Sequence, residues 1–92
     1  NDGGGIFEHL PVAKFEPPFE RFFGTPQGVD LTALCRAYRV KLERPRDWKQ
    51  FDSLVKGATK RAGLSVIEVR TDRKRDAAFR KELFATLAAR LK

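Results

Sequence analysis

Two short apolar segments separated by one amphipathic helix limit this chain to a small set of folds. Residues 40–43 alternate between apolar and charged side chains, as a half-buried strand does, and residues 64–69 form a second, more apolar strand. Between them, Asp47 stands at the N-cap position of a helix that begins with Trp48 and is expected to end at Gly63. The helix carries a continuous apolar stripe, and Trp48 is expected to be part of the core. Two strands joined by a helix of about four turns are expected to lie parallel, with a right-handed crossover.

Helices are also predicted on either side of this strand–helix–strand unit. Asp30 is expected to cap a helix with one apolar face, formed by Leu31, Leu34, Cys35 and Tyr38. Asp76 is expected to cap the last helix, whose core-facing stripe is Phe79, Leu83, Leu87 and Leu91, with Phe84 beside it. The order loop-α-β-α-β-α is that of the second half of a doubly wound α/β domain. The sequence therefore predicts a single partial domain over residues 1–92.

The chain begins with a loop rather than a helix or a strand. Three consecutive glycines, Gly3–Gly5, would lose the most backbone freedom in a regular element. Asn1 offers a neutral side-chain oxygen and Gly3 a carbonyl, which are hard donors of the kind that suit Mg²⁺, Ca²⁺ or Mn²⁺. Thr71 and Asp72 follow the second strand and should lie on the same edge of the sheet as this loop. By itself, the glycine pattern also fits a flexible N-terminal arm.

Residues 12–29 are rich in proline, glycine and phenylalanine. The prolines and glycines leave room only for a short helix around residues 19–23. Four aromatic side chains in this stretch are expected to be buried together, namely Phe15, Phe19, Phe22 and Phe23.

Cysteine content and hydropathy narrow the class of protein. The only cysteine, Cys35, excludes an internal disulfide bond, suits a reducing, cytoplasmic setting, and is expected to be a small buried side chain. No run approaches the roughly eighteen apolar residues of a membrane span.

The positive charge is concentrated at the C-terminal end. The net charge is +7, and residues 70–92 contain eight Lys and Arg against three Asp and Glu. A small basic α/β module that binds nucleic acid through its last helix is therefore one alternative. A solvated helix face is the preferred interpretation, because Phe79 and Phe84 are expected in the core rather than displayed for stacking on bases.

Several segments, taken in order, resemble the C-terminal end of 2-succinyl-5-enolpyruvyl-6-hydroxy-3-cyclohexene-1-carboxylate synthases, the thiamine-diphosphate enzymes of menaquinone biosynthesis. The resemblance covers nearly the whole chain and is carried by residues 1–11 (Asn-Asp-Gly-Gly-Gly-Ile-Phe-Glu-His-Leu-Pro), Phe23-Gly24-Thr25-Pro26, Asp30-Leu31, Arg44-Pro45-Arg46-Asp47-Trp48 and Val66-Ile67-Glu68-Val69. Another thiamine-diphosphate decarboxylase-type enzyme would share the Asn-x-Gly loop. The Ile-Phe and Phe-Gly-Thr-Pro segments argue against that second alternative by resemblance only.

The resemblance implies roles for residues of the loop. Asn1 would bind Mg²⁺ (or Mn²⁺) through its side-chain oxygen and Gly3 through its carbonyl, and the metal would hold the diphosphate of thiamine diphosphate. The cofactor site would comprise Asn1, Gly3, Ile6 and Phe7, while Ile6, Phe7 and Leu10 would line the substrate pocket. No catalytic residue is expected in this segment, because the Glu that assists thiamine activation in this superfamily lies in another domain.

The resemblance also implies an activity for the full-length protein. Such a synthase decarboxylates 2-oxoglutarate and adds the succinyl-semialdehyde unit to isochorismate. The expected partners are these two substrates, the rest of a longer chain and further copies of it in a homo-oligomer (dimer or tetramer). The isolated 92 residues are expected to be inactive.

Overall fold

A computed structural model describes all residues from 1 to 92. The chain divides into two compact units, one formed by residues 29–70 and the other by residues 1–28 together with residues 71–92. Three short helical turns precede the regular elements: 3₁₀ turns at Gly5–His9 and Pro11–Lys14 and a π-helical turn at Glu20–Gly24. The regular elements are α1 (Leu31–Ala37), β1 (Lys41–Glu43), α2 (Trp48–Thr59), β2 (Ser65–Ile67) and α3 (Arg73–Arg90). This is the predicted order, and its small parallel sheet is compatible with the α/β class.

The unit of residues 29–70 contains the sheet. β1 and β2 pair in parallel, with Leu42 opposite Val66, which confirms the predicted strand arrangement. Both predicted caps are present: the Asp30 carboxylate accepts from the Ala33 amide at 3.1 Å, and the Asp47 carboxylate accepts from the Gln50 amide at 2.7 Å. Cys35 in α1 is buried, as predicted.

An ion-pair network joins two of the segments that carry the family resemblance. The Arg44 guanidinium pairs with the Glu68 carboxylate through Nε and donates from Nη2 to the Thr32 hydroxyl at 2.8 Å. Arg70 pairs with the other Glu68 oxygen at 2.9 Å. These arginines lower the pKa of Glu68, Arg70 having the larger effect. The polar residues at the ends of β1 and β2 therefore link these strand ends to each other and to α1.

Two predictions for α2 are wrong. The helix ends at Thr59, because the Arg61 amide donates to the Ala58 carbonyl and tightens the last turn; Gly63, with φ of +93°, lies in the connection to β2 instead. Trp48 is 79% exposed rather than buried. It stands in the first helical turn, where its ring meets Phe51 edge-on at 5.7 Å and nothing covers its other face.

The unit of residues 1–28 and 71–92 has a small aromatic core. Phe19 is fully buried and stacks on Phe23 at 6.0 Å, and Phe23 meets Phe7 edge-on at 5.7 Å. Phe15 and Phe22 are each 65% exposed, so their predicted burial is wrong. Phe15 follows the Pro11–Lys14 turn and Phe22 lies in the Glu20–Gly24 turn, so proximity in sequence did not bring either side chain into the core.

The last helix begins earlier than the sequence predicts. The Asp72 carboxylate accepts from the Arg75 amide at 2.8 Å and is the N-cap of α3, whereas Asp76 lies inside the first turn. Asp72 can cap because its backbone is extended while the residues after it are already helical.

The apolar stripe of α3 is exposed, contrary to the prediction that it faces a core. The exposed fractions are 66% for Phe79, 43% for Leu83, 61% for Phe84, 44% for Leu87 and 88% for Leu91. Spacing alone placed these side chains on one face, but no element of the chain packs against that face. None of the helices, α3 included, combines the length and apolar character needed to cross a membrane.

Replacing Asp72 with alanine is expected to destabilise the protein by about 1 kcal/mol, because the first turn of α3 loses its cap. The matched Asp76→Ala change removes a carboxylate from the same turn without removing a capping hydrogen bond. It is expected to cost about 0.5 kcal/mol, through the helix dipole alone. Urea unfolding followed by circular dichroism measures both changes, and a larger loss for Asp76→Ala would contradict the observed cap.

Candidate functional site

The glycine loop adopts a backbone that only glycine accommodates at its third residue. Gly3 has φ of +141°, and its carbonyl accepts from the Gly5 amide at 2.8 Å. The next amide, that of Gly4, donates to the Gly24 carbonyl at 2.7 Å. A Cβ on Gly3 would lie far inside van der Waals contact of the Gly24 carbonyl oxygen. The loop is therefore packed directly onto the backbone of the Phe-Gly-Thr-Pro segment.

Asp2 anchors the loop to the backbone of Gln27 and Gly28. Its carboxylate oxygen Oδ1 accepts from the Gly28 amide at 2.8 Å and from the Gln27 amide at 3.0 Å. The Gly28 amide is the main cause that lowers the pKa of the Asp2 carboxyl below its usual range, and the Gln27 amide adds to this effect. The ionised carboxylate thus fixes the residue between Asn1 and Gly3.

The Asp2 anchor is expected to depend on pH. The pKa is lower in the folded protein than the ordinary value near 3.9, so the anchor is complete above about pH 4 and is lost as pH falls through the lower folded-state pKa. The Gly28 amide chemical shift, followed by NMR, should titrate with a midpoint below about 3.9. An Asp2→Asn variant provides the control, because its Gly28 shift should not titrate. An ordinary Asp midpoint in the unmodified protein would contradict this assignment.

Asn1 lies between two open pockets of the same unit. Its side-chain amide packs against Gly5, where an added Cβ would come within 2.7 Å of Asn1 Nδ2. One pocket, of about 340 Å³, is lined by Asn1 with Gly5, Ile6, His9, Arg73, Asp76 and Arg80. The other, of about 280 Å³, is lined by Asn1 with Asp2, Thr71, Asp72, Arg73 and Lys74. Thr71 and Asp72 thus share a pocket with the glycine loop, while their predicted position on an edge of the sheet stays a prediction.

The three apolar residues predicted to line the substrate pocket have different surroundings. Ile6 is 75% exposed and lines the larger pocket beside Asn1. Phe7 is 37% exposed and turns toward Phe23, and Leu10 is 48% exposed. The structure therefore brings Ile6 and Asn1 together. The role of Ile6, Phe7 and Leu10 as a wall of the substrate pocket stays a prediction.

The donors of the loop fit Mg²⁺ as part of a larger set. No group of three or more His, Cys, Asp or Glu side chains is placed to hold a metal ion. Asn1 offers its side-chain oxygen, and the Gly3 carbonyl, which accepts one hydrogen bond, keeps a second lone pair. These neutral oxygens match the hard-donor preference of Mg²⁺, which usually takes few protein ligands and shares its coordination with phosphate and water.

Sequence reasoning missed one residue at this site. Arg73 lines both pockets and pairs with Glu8 and Glu20, whose positions are 65 and 53 residues away in sequence. The Arg73 guanidinium is the main cause of a lowered pKa at Glu20. No local pattern predicts a pairing over such separations.

Comparison with known proteins identifies relatives along almost the entire chain. A protein of Rippkaea orientalis named 2-succinyl-5-enolpyruvyl-6-hydroxy-3-cyclohexene-1-carboxylate synthase is 47% identical over 91 residues, which is 99% of this chain and 15% of that protein. Proteins of the same name from Trichormus variabilis and Thermosynechococcus vestitus are 47% and 42% identical over 97% and 95% of this chain. No model of a known protein family matches the sequence.

These relatives confirm the resemblance inferred from the sequence. The chain spans about 15% of the length of the curated relatives that it matches. They do not favour the nucleic-acid-binding alternative. One argument against that alternative was the expected burial of Phe79 and Phe84 in the core, and the exposure of both side chains removes that argument.

Proposed function

We propose that this chain is the C-terminal part of the cofactor-diphosphate-binding domain of a 2-succinyl-5-enolpyruvyl-6-hydroxy-3-cyclohexene-1-carboxylate synthase. The chain is homologous to such enzymes over nearly all of its length. The observation that carries this proposal is the identity of 47% over 91 residues. The packed glycine loop supports it, because the loop holds two hard oxygen donors in a defined backbone.

The proposed activity belongs to the full-length protein. It decarboxylates 2-oxoglutarate and adds the succinyl-semialdehyde unit to isochorismate, in a cytoplasmic homo-oligomer that requires thiamine diphosphate and Mg²⁺ or Mn²⁺. Thiamine diphosphate, when bound, stabilises the negative charge left by decarboxylation of a 2-oxo acid. The 92 residues by themselves are inactive in this proposal, because two metal ligands do not complete a Mg²⁺ site.

Each residue of the loop has a distinct part in this proposal. Asn1 and Gly3 donate their oxygens to the metal that holds the cofactor's diphosphate, and Asp2 keeps both in place through the Gln27 and Gly28 amides. Ile6, which shares a pocket with Asn1, excludes water from the reacting centre together with the apolar side chains of Phe7 and Leu10.

Replacing Asn1 with alanine in the full-length protein tests the proposal. The loss of one interaction with a charged group costs about 1.5–3 kcal/mol, so the Mg²⁺ and thiamine diphosphate concentrations for half-maximal activity should rise about ten-fold or more. Both are measured by titrating activity with one component while the other is saturating.

Gln27→Ala is the matched control, because it removes an exposed carboxamide side chain from the same unit and keeps the backbone amide that Asp2 needs. Its cofactor requirement should stay within about two-fold of the unmodified protein. Unchanged cofactor affinity in Asn1→Ala would remove Asn1 from the metal site, and a full-length protein active without thiamine diphosphate would overturn the proposed function.

A further inference from the structure

Arg73, the first residue of α3, has the most extensive charge pairing in the chain. Its Nη1 donates to Glu8 Oε1 at 3.1 Å and to Glu20 Oε2 at 3.0 Å, and its Nη2 donates to Glu20 Oε1. The side chains of Arg73 and Glu8 are only 10% and 7% exposed, so this contact is shielded from water. One guanidinium thus connects α3 with the Gly5–His9 turn and with the Glu20–Gly24 turn.

Two glycines make room for Arg73. A Cβ on Gly24 would lie 2.8 Å from Arg73 Nη1, and a Cβ on Gly5 would lie 3.3 Å from Arg73 Cβ. The same Cβ position would also lie 2.7 Å from Asn1 Nδ2. Arg73 and Asn1 therefore both lie against the first residue of the turn that contains Ile6 and Glu8.

We propose that Arg73 is a positioning residue: through Glu8 it fixes the Gly5–His9 turn, and so holds Asn1 and Ile6 where the metal and the cofactor need them. The inference rests on the proposed function, since it assigns Arg73 to the support of that site. Arg73 does not itself bind the metal or the cofactor in this inference, because its guanidinium already pairs with the carboxylates of Glu8 and Glu20.

An exposed ion pair in α2 separates positioning from a general effect of losing a paired charge. Lys56 pairs with Asp52 at 2.6 Å, and these side chains are 71% and 61% exposed. An exposed pair contributes little, whereas breaking a shielded pair leaves an uncompensated charge. Lys56→Gln is therefore a control that breaks an ion pair away from the turn and from the two pockets beside Asn1.

The test uses the full-length protein that carries this chain, with the variants Arg73→Gln, Glu8→Gln and Lys56→Gln. Hydrogen–deuterium exchange of peptides from residues 1–14 reports on the turn, and calorimetric titration with Mg²⁺ and thiamine diphosphate reports on the site. In Arg73→Gln and Glu8→Gln, exchange of these peptides and the cofactor Kd should each rise by about ten-fold or more. In Lys56→Gln, both should stay within about two-fold.

Arg73→Lys adds a readout of geometry. Lysine keeps the charge but lacks the planar fork that reaches two carboxylates at once, so its cofactor Kd should fall between those of the unmodified protein and Arg73→Gln. A Kd for Arg73→Lys equal to that of the unmodified protein would overturn the positioning role of the guanidinium.

The two readouts distinguish failure of the inference from failure of the proposed function. If the unmodified protein binds the cofactor and Glu8→Gln binds it equally well, the inference is overturned and the proposed function stands. If the unmodified protein does not bind the cofactor, the proposed function fails and, with it, the positioning role. Should Arg73→Gln fail to fold, Glu8→Gln decides alone, because it keeps the Arg73–Glu20 pair.

Discussion

Replacing Phe19 with alanine is expected to lower the free energy of unfolding by about 3–5 kcal/mol. Phe19 is the one large side chain that is fully buried. Its ring stacks on Phe23, and the Lys74 ammonium lies 5.8 Å from the ring centroid. Truncation removes the apolar area that Phe19 buries and leaves a cavity under α3 that the surrounding turns cannot fill without moving.

Phe22→Ala is the matched control for Phe19→Ala. It is the same change three residues later, but Phe22 is 65% exposed, and the Arg21 guanidinium lies 5.2 Å from its ring centroid. Its loss is expected to stay near 0.5 kcal/mol. Urea unfolding of the two variants, followed by circular dichroism, compares them directly. Equal losses would show that Phe19 is not the centre of this core.

The elements that the sequence predicted correctly are those decided by neighbouring residues. Asp30 and Asp47 cap their helices because a carboxylate needs only the amide three positions ahead. β1 and β2 pair in parallel because a strand, a helix and a second strand leave few other arrangements. In these cases, the chemistry of nearby residues was sufficient to predict the structure.

The errors in predicted burial arise where the outcome depends on a distant part of the chain. The face carrying Phe79 and the ring of Trp48 have the spacing of core residues, but spacing does not supply an element to cover them. The start of α3 was misplaced because Asp72 and Asp76 both precede the same apolar stripe, and only the backbone conformation selects Asp72.

The same difference between local and distant interactions applies to the candidate site. Asn1 and Gly3 were identified from the family resemblance, and the loop conformation of the glycines follows from their backbone freedom. The support of that loop by Arg73 and by the Gly24 backbone spans the chain and has no local signature. The sequence therefore indicated which residues to consider but not what holds them.

Replacing Gly3 with alanine is expected to destabilise the protein by about 2–6 kcal/mol. A side chain at φ of +141° costs about 1–3 kcal/mol in backbone strain. The added Cβ also meets the Gly24 carbonyl oxygen, which is main chain and cannot rotate away, so overpacking adds about 1–3 kcal/mol. Moving this backbone would break the bond from the Gly4 amide to the Gly24 carbonyl.

Gly28→Ala isolates the packing contribution. Gly28 also has a positive φ, of +60°, but nothing lies within 4 Å of the position of its Cβ. Its replacement should therefore cost only about 1–2 kcal/mol. Urea unfolding measures both variants, and a Gly3→Ala loss no larger than that of Gly28→Ala would contradict the close backbone contact. Gly3 is therefore required for the fold of the loop, because only a residue without a side chain lets the loop backbone lie against the Gly24 carbonyl.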